Sequence, residues 1–337
     1  MRILVATDAW HPQVNGVVRS IEALRREAAL LGSDVVISSP EGWPTMGLPT
    51  YPDIRLALVF ASQLGPRIEA EQPDHVHIAT EGPIGLAARR HCLRVGRIFT
   101  TSYHTHFPDY LAARAPVPRG LSYAWLRHFH NAGRGVMVST PSVADELKRR
   151  GFTRVMRWSR GVDHTLFHPR GTSVLDLPGP IFLYVGRVAV EKSVEDFLAL
   201  DLPGTKVVVG DGPARAELEA RYPETRFLGT LTGEALAATY ASADVFVFPS
   251  RTDTFGIVML EALASGLPVA AYPVSGPRDV IGGSDAGVLS DDLGEACRSA
   301  LKIPRERARA FSLDYTWSAS ARQFLANVVR VRTGVAA

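Results

Sequence analysis

The chain is predicted to be an α/β protein built of two doubly wound parallel-sheet domains. Three observations carry that prediction. Short apolar strands alternate with amphipathic helices through residues 2–158, a stretch rich in Gly and Pro interrupts them at 169–180, and a second alternating series begins at 181. Alternation of this kind argues for parallel strands, because each crossover helix covers a face of the sheet. With 337 residues and 46% apolar content, the chain can bury two cores of ordinary domain size.

The elements follow in order. Arg2-Ile3-Leu4-Val5-Ala6 reads as a strand, and a helix is expected from about Val17 to Leu31, stopped by Gly32. Further strands are expected at 34–38, 74–78, 97–102, 135–139 and 154–158. The first domain is placed at 1–168 and the linker at 169–180. In the second domain, 181–314, strands are expected at 181–185, 205–209, 244–248 and 268–272. A helix near Tyr315 to Val331 closes the chain. Ligands of open α/β sheets bind beyond the carboxyl ends of the strands. Two such domains facing one another would put the site in the cleft between them.

Composition narrows the setting. A strand that begins at Arg2 predicts no signal peptide before the fold, and no apolar run approaches bilayer length. Cys92 and Cys297 are the only cysteines and fall in different predicted domains, which argues against a disulfide framework. The expectation is a cytoplasmic protein. The net charge of +3 is unevenly spread: residues 1–168 carry 20 basic and 14 acidic side chains, residues 169–337 carry 17 and 20. Within 89–160 there are fourteen basic residues and three acidic ones. Such a half suits an anionic partner, a membrane surface or phosphorylated lipid, or else reflects an arginine-biased composition with only four lysines. No recognised nucleic-acid module accompanies the charge, so no nucleic-acid partner is expected.

The most informative segment is Ser250-Arg251-Thr252-Asp253-Thr254-Phe255-Gly256-Ile257-Val258-Met259-Leu260-Glu261, after the apolar run 244–249. From Gly256 to Ser265 the apolar residues recur at helical spacing, and Gly266 caps the end. A strand, a small-residue loop and a helix N-terminus make an anion site with unpaired amides facing the ligand. Asp253 stands at its mouth and Glu261 about 1.5 turns inside. Acids there can accept from hydroxyls of a ligand whose phosphates sit on the amides, which describes a nucleotide sugar. A second signal is Ile181-Phe182-Leu183-Tyr184-Val185-Gly186-Arg187-Val188-Ala189-Val190-Glu191-Lys192, where two cations emerge after a buried strand and can neutralise a pyrophosphate.

The acidic segment resembles the Glu-x7-Glu motif of retaining glycosyltransferase family 4, here as Asp-x7-Glu, found in the branch of diacylglycerol sugar transferases. Residues 186–192 are similar to that family's Gly-Arg-x4-Lys element. The resemblance implies the GT-B architecture: a first domain facing acceptor and membrane, a second binding the donor, and a terminal helix, 315–337, packing back on the first. By the same resemblance Arg187 and Lys192 hold the donor diphosphate, Asp253 the donor sugar, and Glu261 the ribose. Thr254, Phe255, Gly256, Ile257 and Val258 form the loop at sugar and phosphate, and Leu228, Gly229 and Thr230 lie at the nucleobase. Thr7 to Val18 resembles the family's Pro-x-x-Asn-Gly-Val loop, with Asn15-Gly16 suited to a turn that lets backbone approach a phosphate. His104, in Ser102-Tyr103-His104-Thr105-His106-Phe107, matches the histidine placed beside the reacting carbon.

No Asp-x-Asp pair occurs, so no metal and no cofactor is expected, and Arg187 and Lys192 meet the leaving-group charge. His104 and His106 alone are thin for zinc, which wants three or four ligands. His75 and His77, and His128 and His130, are assigned to surface or packing roles. Gly210-Asp211-Gly212-Pro213 lacks the third glycine of a dinucleotide fingerprint and resembles a family turn. Pro73 to Pro83 also resembles a family strand-loop segment, without evident chemistry. Between Tyr110 and Arg134, Arg114, Arg119, Arg127 and Arg134 interleave with Tyr123, Trp125 and Phe129. That pattern suits either a lipid-headgroup interface or a helix with inward aromatics and solvated arginines. The resemblance implies transfer of a hexose or hexuronic acid from a UDP- or GDP-sugar, with diacylglycerol or another membrane lipid as acceptor, by a cytoplasmic protein peripheral to the membrane. A polysaccharide or polyol acceptor, or a GT-B nucleotide-sugar epimerase, is the alternative.

Overall fold

The computed structural model describes residues 1–48, 51–104 and 118–334. It divides into two compact units, Met1–Arg160 with Trp317–Ala337, and Gly161–Thr316. Residues 161–180 therefore cluster with the second unit, and the terminal helix Trp317–Thr333 with the first.

The first unit contains β1 (Arg2–Ala6), β2 (Asp34–Ser38), β3 (Thr45–Leu48), β4 (Tyr51–Ala57), β5 (His75–Ile78), β6 (Phe99–Tyr103), β7 (Val136–Val138) and β8 (Val155–Arg157). Strands β3 and β4 pair antiparallel as a hairpin of their own. The other six form a parallel sheet in the order β2-β1-β5-β6-β7-β8. Alternate residues of β1 face opposite layers, as strand geometry requires. Ile3 and Val5 pack with Trp158, Phe324 and Val328. Leu4 and Ala6 pack with Ile84, Phe99 and Phe129. The helix Trp317–Thr333 thus supplies one wall of the core, and its polar groups fix it. The Trp158 indole donates to Ser320 Oγ at 3.1 Å, and Asn327 Nδ2 donates to the Arg157 carbonyl at 2.7 Å.

A loop and a strand flagged in the sequence find structural explanations here. Asp8, just past β1, accepts from the Thr80 hydroxyl at 2.7 Å and the Ile84 amide at 2.8 Å, so it caps the helix Pro83–Val95. Burial raises its pKa above the ordinary carboxylate value, and the hydrogen bonds from Ile84, Thr80 and Gly85 oppose that rise. In the centre of the sheet, His75 Nε2 and His77 Nδ1 share the Thr100 hydroxyl at 2.8 and 2.9 Å, and His77 Nε2 meets Ser102 Oγ at 2.9 Å. These histidines are buried packing residues.

The second unit holds β9 (Ile181–Val185), β10 (Thr205–Val209), β11 (Arg226–Gly229), β12 (Val245–Phe248), β13 (Val269–Ala271) and β14 (Gly287–Leu289). All are parallel, in the order β11-β10-β9-β12-β13-β14. Chain direction across the sheet reverses between β9 and β12, which pair through Val245 with Phe182 and Phe246 with Leu183. The predicted class, two doubly wound parallel sheets, is what the structure contains.

Within the second unit, the backbone is tightly crowded at the carboxyl end of β10. A Cβ on Gly210 would lie 1.9 Å from the Gly186 carbonyl oxygen. The Gly186 and Val188 amides donate to Val209 and Asp211 carbonyls at 3.0 and 2.9 Å. The Gly210–Pro213 turn is therefore a brace for the backbone of 186–188.

Two measurements check this account. Gly210→Ala should destabilise the second unit by about 1–3 kcal/mol in thermal unfolding, whereas Gly171→Ala, with nothing within 4 Å, should leave it unchanged. The histidines set a pH dependence. Burial lowers the His75 pKa to about 4 and that of His77 well below its ordinary value. The unfolded chain takes up those protons near pH 6.5 and the folded chain does not, so stability is full above pH 6.5 and is lost as pH falls toward 4. His75 contributes a slope of up to about 1.4 kcal/mol per pH unit within that window, and His77 adds in the same direction. Urea midpoints should drop between pH 7.5 and 5; equal midpoints would show that the ring pair does not resist protonation.

Candidate active site

The carboxyl ends of β9 and β12 form the topological switch point of the second sheet, the place where open α/β sheets bind ligands. Both strong sequence signals emerge there. Beyond β9 the chain runs through Gly186 and Arg187 into a 3-10 turn, Val190–Lys192. Beyond β12 it runs through Ser250 to Gly256 into the helix Ile257–Ala264. The Lys192 ammonium reaches across to Asp253 Oδ1 at 2.5 Å, and the Thr252 hydroxyl donates to the Glu191 carbonyl at 3.1 Å. The Lys192 and Asp253 side chains are about four-fifths buried, at 17% and 21% exposure, which limits screening of the pair by solvent.

The helix Ile257–Ala264 begins at Gly256, which has φ +80°. A Cβ there would sit 2.9 Å from Met259 Cε and Phe248 Cζ, so the turn needs glycine both for its dihedral and for its contacts. Thr254 and Phe255 are buried, and the Phe255 ring joins the core beside Tyr315, while Ile257 and Val258 are part-buried. At the far end of the helix, Arg309 donates to the Ala264 carbonyl at 2.7 Å and Arg305 to Ser265 at 3.4 Å. Two guanidinium groups thus answer the negative end of the helix whose amide end faces the switch point.

Glu261 is 2% exposed and accepts from the Tyr240 hydroxyl at 3.1 Å. Tyr240 is legible only in the structure. Its position in the helix Gly233–Ser242, with no ligand-like motif around it, offered no signal. Leu228, Gly229 and Thr230 lie at the carboxyl end of β11, the edge of the sheet; Leu228 and Thr230 are exposed. The Arg251 guanidinium stacks on the Tyr272 ring at 3.6 Å, and both reach Asp196, which ties the loop after β13 to the same end of the sheet.

In the first unit, His104 follows β6 directly. Arg160 Nη2 donates to its Nδ1 at 3.0 Å, and its ring meets Trp158 edge-on at 5.8 Å. Burial first, then the Arg160 charge, holds the His104 pKa well below its ordinary value. Arg160 was not anticipated, although it lies just past the carboxyl end of β8, where the same search for cations would have found it. Asn15 caps the helix Gly16–Leu30, accepting from Val17 and Val18 amides at 3.0 and 3.1 Å, so Gly16 is the first helical residue and is exposed. Thr105, His106, Phe107 and Arg114 lie outside the described residues. Among the described residues, no three of His, Cys, Asp and Glu gather as a metal site.

The helix Arg119–Asn131 has two faces. Tyr123, Leu126 and Phe129 are buried, with the Tyr123 hydroxyl on Glu146 at 2.9 Å and Arg150 stacked over its ring at 3.6 Å. Leu121, at 66% exposure, and Trp125, at 41%, face outward together with Arg119 and Arg127. No helix among the described residues is long and apolar enough to cross a membrane.

The sequence of each unit matches a family model. Residues 14–166 match Glycosyltransferase Family 4, and residues 179–303 match Glycosyl transferases group 1. The chain is 32% identical over 333 residues to a GDP-mannose-dependent alpha-mannosyltransferase of Mycolicibacterium smegmatis, covering 88% of this chain and 86% of that one. It is 28% identical to the alpha-monoglucosyldiacylglycerol synthase of Streptococcus pneumoniae, over 81% of this chain and 71% of the relative. Sucrose-phosphate synthase of Thermosynechococcus elongatus superposes with a TM-score of 0.77 at 20% identity, over 99% of both chains, which shows a common fold. A GT-B fold, two matching family models and identity sustained along most of a curated relative lead to one assignment: the chain belongs to glycosyltransferase family 4 and is a hexosyltransferase.

Proposed function

We propose that the second unit binds a nucleoside diphosphate sugar at the ends of β9 and β12, and that the enzyme transfers the hexose, with retention, to a hydroxyl of diacylglycerol or another membrane lipid. The observation that carries the donor reading is the meeting of Lys192 with Asp253 at the switch point. An ammonium with three donors can keep Asp253 and also take a phosphate oxygen. Arg187 adds a planar fork for the second phosphate. The Thr254–Val258 loop offers the amides of a helix start to the same group. Asp253 then accepts from hydroxyls of the sugar and Glu261, steadied by Tyr240, from the ribose, with Leu228 to Thr230 along the base. The family resemblance assigns Gly16 to the phosphate and His104 to the sugar.

Charge that grows on the departing diphosphate is met by Arg187, Lys192 and helix amides, with no step that requires a metal. In the retaining route implied by the family resemblance, the acceptor hydroxyl attacks the face the diphosphate leaves, and the leaving phosphate takes its proton. The mannosyltransferase relatives are named for GDP-mannose, which favours a GDP-hexose, mannose first. A relative named for diacylglycerol and the outward face of Leu121, Trp125 and nearby arginines support a lipid acceptor. The setting so proposed is the inner face of the cytoplasmic membrane, held peripherally.

Mass spectrometry of products from UDP- and GDP-sugars, offered with diacylglycerol vesicles, tests donor and acceptor together; transfer only to soluble glycans or polyols would overturn the lipid reading. Lys192→Ala removes a charge-assisted hydrogen bond worth about 1.5–3 kcal/mol, so kcat/KM for the donor should fall on the order of ten- to a hundredfold with the fold intact. Unchanged kinetics would remove Lys192 from the site. Binding to anionic vesicles should weaken with salt. Replacing Arg119, Arg127 and Arg134 by Ser should cost about 1 kcal/mol per arginine, lowering vesicle binding and transfer to vesicle-borne acceptor together. Protein that ignores anionic vesicles at low salt would sink the membrane reading.

A further inference from the structure

We propose that Arg160 is a positioning residue that locks His104 in one tautomer, with Nδ1 unprotonated and Nε2 carrying the proton, so that His104 acts as a fixed hydrogen-bond donor to a substrate oxygen. The step toward substrate rests on the reading that His104 approaches the transferred sugar; the tautomer itself stands on geometry alone.

A guanidinium has only donors, so its 3.0 Å contact with Nδ1 requires the lone pair of that nitrogen. A neutral imidazole then carries its one proton on Nε2. Arg160 is itself held rigidly. It is 4% exposed, its Nη1 donates to the carbonyls of Trp158 at 2.7 Å and Ser159 at 3.2 Å, and its Cζ lies 4.4 Å from the Trp158 ring centre. One side chain therefore spans two carbonyls and an imidazole, which a planar fork can do and a lysine ammonium cannot do in the same geometry. Burial lowers its pKa to about 9, which leaves it cationic at neutral pH, and among the described residues no carboxylate is paired with it.

That charge has a chemical consequence. The groups facing His104 include Arg160, His77 and His130, and a second cation on the imidazole would stand against a buried guanidinium. His77 feels the same charge. His104 is thus poorly suited to take a proton from the acceptor, and well suited to hold out an N–H toward an oxygen that gains charge.

The test uses the full chain with 15N-labelled histidine and long-range proton–nitrogen spectra from about pH 5.5 to 8. Signals of His104 are identified by their loss in His104→Gln. The expected result is an acceptor-type Nδ1, a protonated Nε2, and no titration through this range. In Arg160→Met, His104 should show mixed tautomers and a higher midpoint. Should that variant not fold, Arg160→Lys, which keeps the charge and loses the fork, should still mix the tautomers. A proton on Nδ1 in the wild type, ordinary titration there, or an unchanged His104 signature in the folded variant would overturn the proposal. With an active donor, Arg160→Lys should lower kcat on the order of tenfold while donor KM holds. Failure to find any transfer activity would count against the proposed function and leave the spectra as they are.

Discussion

The 2.5 Å contact between the Lys192 ammonium and the Asp253 carboxylate joins two loops that are 61 residues apart in sequence. It exists only because β9 and β12 are neighbours, and that adjacency is the point at which the second sheet reverses its winding. Much of the surrounding structure keeps the two loops in place. Gly210 and Gly212 let a third loop press backbone to backbone against residues 186–188, leaving little play in the chain that carries Arg187 and Lys192. On the other side, Gly256 turns the chain into a short helix whose rear carbonyls are held by Arg305 and Arg309. A pair of charges largely removed from water gains little net stability by itself. Its value is that it draws the two loops together and sets a cation beside an acid at the switch point.

Much of this was readable from the amino-acid pattern. The central strands β1, β9 and β12 are continuous apolar runs with buried faces on both sides, and their limits follow from composition alone. The short strands β11 and β14, of four and three residues, and the hairpin β3–β4 escaped. Strands β11 and β14 lie at the two edges of their sheet with no fully buried residue, and Tyr51–Ala57 carries Pro52, Asp53 and Arg55 among its apolar residues, so no continuous apolar run marks any of them. The site divides in the same way. Arg187, Lys192 and Asp253 announce themselves as charged residues after apolar strands. Tyr240 and Arg160 do not, since each matters through a contact with a distant residue, Glu261 and His104, which no local spacing encodes. The same holds for the Asp8 contacts to Thr80 and Ile84 and for the brace that the Gly210–Pro213 turn gives residues 186–188.

The basic–aromatic helix resolves by side chain. Tyr123 and Phe129 serve the core, as inward aromatics do, whereas Trp125 and Leu121, four residues apart, share the outer face with arginines. The structure shows the inward aromatics of one description and, on the other face, an exposed Leu121 and Trp125 among arginines. The pattern of residue types could state that both uses were possible, and only the rotation of the helix assigns each ring.

The discontinuous first unit has a consequence for the order of assembly. Its core contains Ile3 and Val5 from the first strand together with Ala321, Phe324 and Val328 from the last helix, and Trp158 is anchored to Ser320. The second unit, by contrast, is one uninterrupted stretch, Gly161–Thr316. On a ribosome the usual sequence, in which the earlier domain folds first, is therefore reversed in part. Residues 161–316 can complete their sheet while the first unit still lacks the helix Trp317–Thr333, and the face of β1 that carries Ile3 and Val5 is covered only in part, by the helix Gly16–Leu30, until that last wall arrives. The part of the chain synthesised first is the part that finishes last, and the interval between is when it depends most on being kept from other exposed surfaces.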